Sequence, residues 1–368
     1  MVNLVKIQTI PVYLAELDDY ELDTEELKNV AGGNWTGNCI YKLIKTGWRK
    51  VLHKKTFVAC CFSICLLVNL LCFPTALAAE ILREVVPLER NHVPLHLERY
   101  IEQDGQKKKP VLFVHGVTYS SHEFDVDYKD YSLARYFARH GFEVWLLDIA
   151  GFGNSGSVRD GFLPDSDYAA EDIAAAVRCI LKRNQISSMD VLGWSWGTVT
   201  SGRFAARHPE MVRRLVLYAP IVAGLGEQQM EEPFHINTWI HAAEDFQTTT
   251  DGDIDFSIVE KPVADTYLSN AWRNDKTSSP NGGRRDLLVS PDARLIPTLG
   301  IKAPTLIIAG SKDPYVSPAL CEEAYKTLRN KDSGLVIIKG AGHAMLMERP
   351  YYRRFRENVR AFLNKGAR

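Results

Sequence analysis

Apolar runs recur along the chain from Ile81 onward, separated by polar turns and by stretches that suit a helix. Short runs rich in Val, Ile and Leu, bounded by Gly, Pro or Asp, predict strands over 83–88, 95–100, 111–114, 143–147, 190–193, 214–218, 305–309 and 335–339. Helix-compatible patterns fall over 132–140, 169–183, 196–208, 319–328 and 351–363. Strands that alternate with helices imply a mostly parallel sheet with helices on both faces. The alternation fails over 221–296, which holds no strong strand and is rich in Asp, Thr, His and aromatic residues.

The first 79 residues follow another pattern. Glu26, Leu27 and Val30 share one face of a short acidic helix that runs into Gly32-Gly33. Residues 34–55 form a basic linker that includes Lys42, Lys45, Arg49, Lys50, Lys54 and Lys55. Thr56–Ala79 is uncharged and apolar and ends in Ala76-Leu77-Ala78-Ala79. A basic flank, an apolar core and an A-x-A end describe a secretory signal displaced inward from the N-terminus. The stretch also suits the ~20 residues of a bilayer span, with its basic side in the cytoplasm. On either reading residues 80–368 lie outside the cytoplasm, exported or membrane-anchored, and export machinery and a membrane become partners. A buried helix is the plain alternative.

Composition narrows the picture little. The chain has 368 residues, with 44 Lys and Arg against 45 Asp and Glu. That balance carries no nucleic-acid footprint. No metal-ligand spacing, phosphate-binding glycine motif or internal repeat occurs, so neither metal nor cofactor is expected. Cys179 and Cys321 fall on separated helices, and no disulfide is expected between them.

The chemistry gathers at strand ends. Val191-Leu192 leads into Gly193-Trp194-Ser195-Trp196-Gly197, a G-x-S-x-G turn between a strand and a helix. Such a turn is tight, needs small residues on both sides, and lifts the serine oxygen above the sheet. Asp313 follows the run 303–310, and His343 follows 335–338 in a glycine-rich loop. Serine, acid and histidine in that chain order are the three parts of a nucleophilic triad. Pro110–Val114 ends in His115-Gly116-Val117, where the Val117 amide, with that of Trp196, is placed to bind an oxyanion. His115 reads as a brace of that turn, and His343 fills the role of base.

Residues from about Ile81 to Leu363 resemble the α/β-hydrolase fold family. The resemblance rests on His115-Gly116, on the serine turn, on Gly310-Ser311-Lys312-Asp313, on Gly342-His343 and on Asp148-Ile149-Ala150-Gly151-Phe152-Gly153-Asn154-Ser155. Thr198 departs from the second glycine of many relatives. The resemblance implies an eight-stranded sheet, with residues 221–296 as a cap inserted after the sixth strand. Trp194, Phe234, Trp239, Tyr267 and Trp272 are candidate pocket walls. His235 and His241 read as surface residues, and Arg284-Arg285 as a solvated pair, with contact to a substrate carboxylate as the alternative. Residues 1–33 resemble a double-glycine leader, which implies a leader-processing peptidase.

These readings converge on a serine hydrolase of carboxylic esters with acyl or aromatic substrates. Ser195 is the nucleophile, His343 the base and Asp313 its orienting acid. An acyltransferase, an amidase or a C–C bond hydrolase would use the same triad. A non-catalytic secreted binding protein on this scaffold, or the cargo of a peptide-maturation system, are the readings from other classes.

Overall fold

The computed structural model describes residues 80–366 apart from Lys276. The leader-like segment, the basic linker and the apolar stretch Thr56–Ala79 lie outside the described residues. Among the described residues no helix is long and apolar enough to cross a membrane.

The main sheet has eight strands. In chain order they are β1 (Ile81–Arg90), β2 (Val93–Glu102), β3 (Lys109–Val114), β4 (Phe142–Leu147), β5 (Met189–Trp194), β6 (Val212–Tyr218), β9 (Thr305–Gly310) and β10 (Gly334–Ile338). Their spatial order is β1-β2-β4-β3-β5-β6-β9-β10. β2 pairs antiparallel with both β1 and β4, and the pairs from β4 across to β10 are parallel. The central strands β4, β5 and β9 are buried along their whole length. A parallel sheet covered on both faces demands such continuous apolar runs.

Five helices pack on this sheet: α1 (Leu133–Arg139), α2 (Ser166–Asn184), α3 (Trp196–Arg207), α7 (Pro318–Thr327) and α8 (Tyr352–Asn364). α2 starts where Asp165 accepts hydrogen bonds from the amides of Asp167 and Tyr168, and it ends at Gln185 in the left-handed region. α8 turns Phe355, Val359 and Phe362 inward and leaves Arg353, Arg354 and Glu357 outside.

Between β6 and β9 the rhythm changes. This segment holds two three-residue strands, β7 (Phe234–Ile236) and β8 (Ser278–Pro280), paired antiparallel as a separate ribbon. It also holds α4 (Trp239–Ala243), α5 (Lys261–Asn274) and α6 (Gly282–Leu287). Cys179 and Cys321 are both free thiols.

Candidate active site

Parallel strands all deliver their C-terminal ends to one edge of the sheet, so the loops that leave β3, β5, β9 and β10 meet there. Ser195 stands between β5 and α3 with φ 55° and ψ −123°. A non-glycine residue in that region costs on the order of 1–3 kcal/mol, which the surrounding packing must hold. The flanking glycines permit the turn by close approach. A Cβ on Gly193 would strike the Gly197 carbonyl, and one on Gly197 would strike the carbonyls of Val114 and His115. The Ser195 amide donates to Tyr218 O at 3.0 Å.

Asp313 and His343 meet across the next loops. His343 Nδ1 donates to Asp313 Oδ2 at 2.7 Å, with both side chains sealed from solvent. That bond assigns the Nδ1–H tautomer and leaves Nε2 as the basic nitrogen. The other Asp313 oxygen accepts from the Tyr315 amide at 2.9 Å. Burial alone would lower the His343 pKa; Asp313, with Asp245 and Glu348 behind it, reverses this and raises it above the ordinary value. The two loops are joined by the Lys312 amide on Ala341 O at 2.9 Å and the Gly340 amide on Ser311 Oγ at 2.9 Å. Glu348 bridges the histidine loop by accepting from the Gly342 amide and from Gln247 Nε2 at 3.0 Å.

The loop after β3 carries Val117, which is half-buried. Trp196 opens α3, so its amide is one of the N–H groups a helix leaves without an intrahelical acceptor. Gly116 brings this loop against the serine: a Cβ there would lie 3.4 Å from Ser195 Cβ. Two groups brace it. The Gly116 amide donates to the buried Glu123 at 3.0 Å. His115 bonds Gly116 O at 2.7 Å through Nδ1, and its Nε2 accepts from the Ile149 amide at 3.0 Å. Burial lowers its pKa, so the ring is neutral with both nitrogens engaged, as a brace requires.

The structure separates the candidate pocket walls. Trp194 lies beneath the site, 1% exposed, stacked on Tyr218 at 5.4 Å and packed on His343 at 5.7 Å. It supports the histidine and lines no opening. The Trp196 indole is also buried, donating to Ser166 Oγ at 2.9 Å. Tyr267 is buried, and its hydroxyl donates to Asp245 at 2.8 Å. Phe234 is half-buried on β7. Trp239 and Trp272 are 45% and 52% exposed and stack on each other at 5.1 Å. A cleft of about 480 Å³ opens instead beside Asp313, lined by Val222, Leu225, Pro314, Tyr315 and Val316 among others. Ser195 and His343 do not line it, so the His–Asp geometry locates the chemistry better than the cleft does.

Several supporting groups escape sequence reasoning. Tyr218 donates to His343 O at 2.6 Å from the last position of β6. An aromatic with a polar tip at a strand end is the only signal it gives. Glu123, in a short 3-10 turn, and Asp245, Gln247 and Glu348, in irregular segments, are single polar residues and give none. Among the described residues one group could hold a metal: His96, His122 and Asp148, with ligand atoms within 4.8 Å of one another. Asp148 already accepts from Ser121 and Asn154, and His122 Nε2 meets Asn154 Nδ2. The protein's own groups thus occupy two of those three ligands.

Comparison with known proteins bears on the family and the fold. Residues 105–350 match the family described as serine aminopeptidase, S33. The chain is 26% identical over 278 residues to a pimeloyl-[acyl-carrier protein] methyl ester esterase of Neisseria meningitidis, covering 74% of this chain and 98% of that enzyme. It is 22% identical over 296 residues to Lipase 1 of Psychrobacter immobilis, covering 75% and 87%. Among solved structures, a hydrolase from Pseudomonas aeruginosa superposes with a TM-score of 0.56 at 17% identity, covering 79% of this chain and all of that one. The esterase EaEST from Exiguobacterium antarcticum gives 0.55 at 16%, covering 77% of this chain and all of that one. These two likenesses speak to the fold alone. The chain belongs to the serine aminopeptidase S33 family and is a hydrolase-type enzyme on the α/β-hydrolase fold.

Proposed function

We propose that the protein hydrolyses carboxylic esters through Ser195, His343 and Asp313. The observation that carries this reading is the sealed 2.7 Å bond from His343 to Asp313, together with a serine held at φ 55° on the turn into α3. Ser195 Oγ attacks the acyl carbon while His343 Nε2 takes its proton. The amides of Val117 and Trp196 receive the oxyanion, and the positive end of α3 favours the same charge. The intermediate collapses as His343 returns the proton to the leaving alcohol. Water, deprotonated by the same nitrogen, then releases the acid. Asp313 holds the imidazole in its tautomer and steadies its charged form.

The names of the Neisseria esterase and the Psychrobacter lipase support an ester substrate. Amide cleavage is the second reading, favoured by the family's description as an aminopeptidase. Labelling with a fluorophosphonate, followed by matched p-nitrophenyl esters and p-nitroanilides, separates the two. Ester turnover alone supports the first reading, turnover of anilides at comparable rates the second, and failure to label removes both.

Residues 221–296 act, on this reading, as a cap that governs substrate choice. The N-terminal pattern supports export, with cleavage after Ala78 or after Gly33. Terminal sequencing from the native host tests this: a start at Ala79 means secretion, a start at Asn34 an anchored enzyme, and an intact Met1 in the soluble cytoplasmic fraction neither.

A further inference from the structure

One cation in the segment after β6 has no part in the chemistry above. The sequence presents Arg284-Arg285 as a solvated pair or, alternatively, as a contact to a substrate carboxylate, and only Arg285 is exposed. Arg284 is half-buried, and burial brings its guanidinium down to about 10. Its Nη1 donates to Ser279 Oγ at 3.1 Å, Pro280 O at 3.3 Å and Asn281 Oδ1 at 3.2 Å. Its Nη2 donates to Thr118 Oγ1 at 2.9 Å. All four acceptors are neutral.

A guanidinium has five N–H groups in a fixed fork. Among the described residues, the Nε–H and the second Nη2–H of Arg284 meet no acceptor, and no carboxylate pairs with it. That sets it apart from other partly buried arginines. Arg90 pairs with Asp172 at 2.5 Å, Arg99 pairs with Glu143, and Arg356 pairs with Asp130 at 2.7 Å. Arg214 and Arg360 also lack a paired carboxylate, but Arg214 lies near the start of β6, away from the strand ends that carry the site, and covers the Phe362 ring, and Arg360 lies within α8. A charge taken partly out of water without a counter-ion is costly, and an anion from outside would offset that cost.

Its position says where such an anion would sit. Thr118 directly follows Val117 in the loop after β3. On the other side, α6 packs so closely on the serine turn that a Cβ on Gly283 would strike the Trp196 indole. Arg284 therefore joins the two segments that carry the oxyanion donors. Val117, Thr118, Ser195 and Arg284 each keep part of their surface accessible. His235 stands near the same guanidinium; burial, then Arg284 and His241, lower its pKa to about 4, so the ring adds no competing charge at neutral pH.

We propose that Arg284 is an anion-binding subsite and that the preferred ester carries a carboxylate away from the scissile bond. The carboxylate oxygens accept the free Nε–H and Nη2–H together, the paired geometry that suits a guanidinium. The inference rests on the ester-hydrolysis reading for its substrate, while the subsite itself stands on the uncompensated cation.

The test uses the full chain and two matched pairs of esters. Mono-p-nitrophenyl glutarate against p-nitrophenyl valerate places the charge on the acyl side. 4-Carboxyphenyl butyrate against phenyl butyrate places it on the alcohol side. The wild type should prefer the charged ester in one pair, which also identifies the side. Arg284→Gln should lower the charged-to-neutral ratio of kcat/KM by about 30- to 100-fold, the scale of a charge-assisted pair of hydrogen bonds. Arg284→Lys keeps the charge without the fork and should recover part of that ratio; it serves alone if the glutamine variant does not fold. A ratio that no Arg284 variant changes overturns the proposal, whatever happens to the absolute rates, because a merely structural strut would lower both esters together. Calorimetry of glutarate binding to Ser195→Ala chains, with and without Arg284→Lys, separates the two layers of inference. If the wild type hydrolyses none of these esters, the ester reading fails, and glutarate binding that weakens at least tenfold with Arg284→Lys still upholds the subsite. Glutarate binding that is absent, or indifferent to Arg284, removes it.

Discussion

The loops at the strand ends and the segment between β6 and β9 hold their polar groups in different ways. At the strand ends the backbone does the positioning. Ser195 is fixed by a turn that glycine contacts permit on both sides, and Asp313 and His343 are brought together because β9 and β10 are paired in register up to Gly310 and Ile338. In the other segment side chains do it. Asp245 is held by the Tyr267 hydroxyl, Gln247 reaches across to Gly340 O at 3.0 Å, and Arg284 ties α6 to Thr118. Register places a residue whatever its identity. Side-chain ties hold only while both partners are present. Substitutions at the strand ends should therefore remove chemistry and spare the fold, whereas substitutions in the inserted segment should alter preference by degrees.

The largest effect tests the first half of that contrast. Ser195→Ala should abolish fluorophosphonate labelling and lower kcat by about six powers of ten, with the melting temperature held or raised because the strained turn no longer carries a polar side chain. Labelling at unchanged stoichiometry would mean another nucleophile. Asp313→Asn comes next. The Tyr315 amide claims the asparagine oxygen and turns the NH2 toward His343 Nδ1, which favours the wrong tautomer, so kcat should fall by about 10³–10⁴ with the circular dichroism spectrum unaltered. An unchanged rate would mean that the acid lies elsewhere. Asp148 is a poor substitute, because its oxygens are already taken by Ser121 and Asn154.

The same division explains what sequence reading reached. Continuous apolar runs must form buried parallel strands, so each of the eight main-sheet strands lies within a residue or two of its expected bounds. The roles of Gly193, Gly197 and His115 were legible as well, since a tight turn and a strand-end brace restrict residue type. Tyr218, Glu123 and Glu348 were not, because their importance arises from where the chain returns in space. The ribbon of β7 and β8 was missed for a related reason: three residues are too few to show a period. For Trp194, the expectation that an aromatic beside the serine faces the substrate does not hold. Trp194 instead turns down onto Tyr218, where burial of its large ring gains most. Arg284 was legible as a cation and illegible as an uncompensated one, since the lack of a counter-ion is a property of the packed structure.

A smaller effect lies where the two regions touch. Glu348 faces His343 from behind and, with Asp313 and Asp245, holds the imidazole pKa above its ordinary value. Ester hydrolysis needs the neutral imidazole, so a raised pKa places the acidic limb of the kcat/KM profile above the limb of an unperturbed histidine near 6.5. Glu348→Gln keeps an acceptor for the Gly342 amide and removes the negative charge. The limb should move toward lower pH by a few tenths of a unit, with kcat on the plateau reduced less than about tenfold. A limb that stays fixed while the plateau falls would make Glu348 a mechanical support alone.

The smallest effect on stability concerns Trp239 and Trp272, and it sharpens the claim that the inserted segment sets preference. Their rings stack at 5.1 Å and 19° on the outer side, each about half exposed. A pair so open to water loses little apolar burial when one ring is removed. Trp239→Ala should cost about 0.5–1.5 kcal/mol, the scale of an aromatic pair. That corresponds to a melting shift of only a few degrees in a domain of this size. Trp239 also opens α4 directly after Thr238, whose carbonyl accepts from the Tyr119 hydroxyl at 2.9 Å in the loop that follows Val117. Loosening that contact disturbs a wall near the proposed oxyanion donors without touching Ser195, His343 or Asp313. The kcat/KM ratio of long-chain to short-chain p-nitrophenyl esters should thus change severalfold, while the rate on p-nitrophenyl acetate stays within about twofold. A large stability loss with an unaltered chain-length profile would place the two rings in the segment's own packing and leave substrate choice to groups deeper in the site.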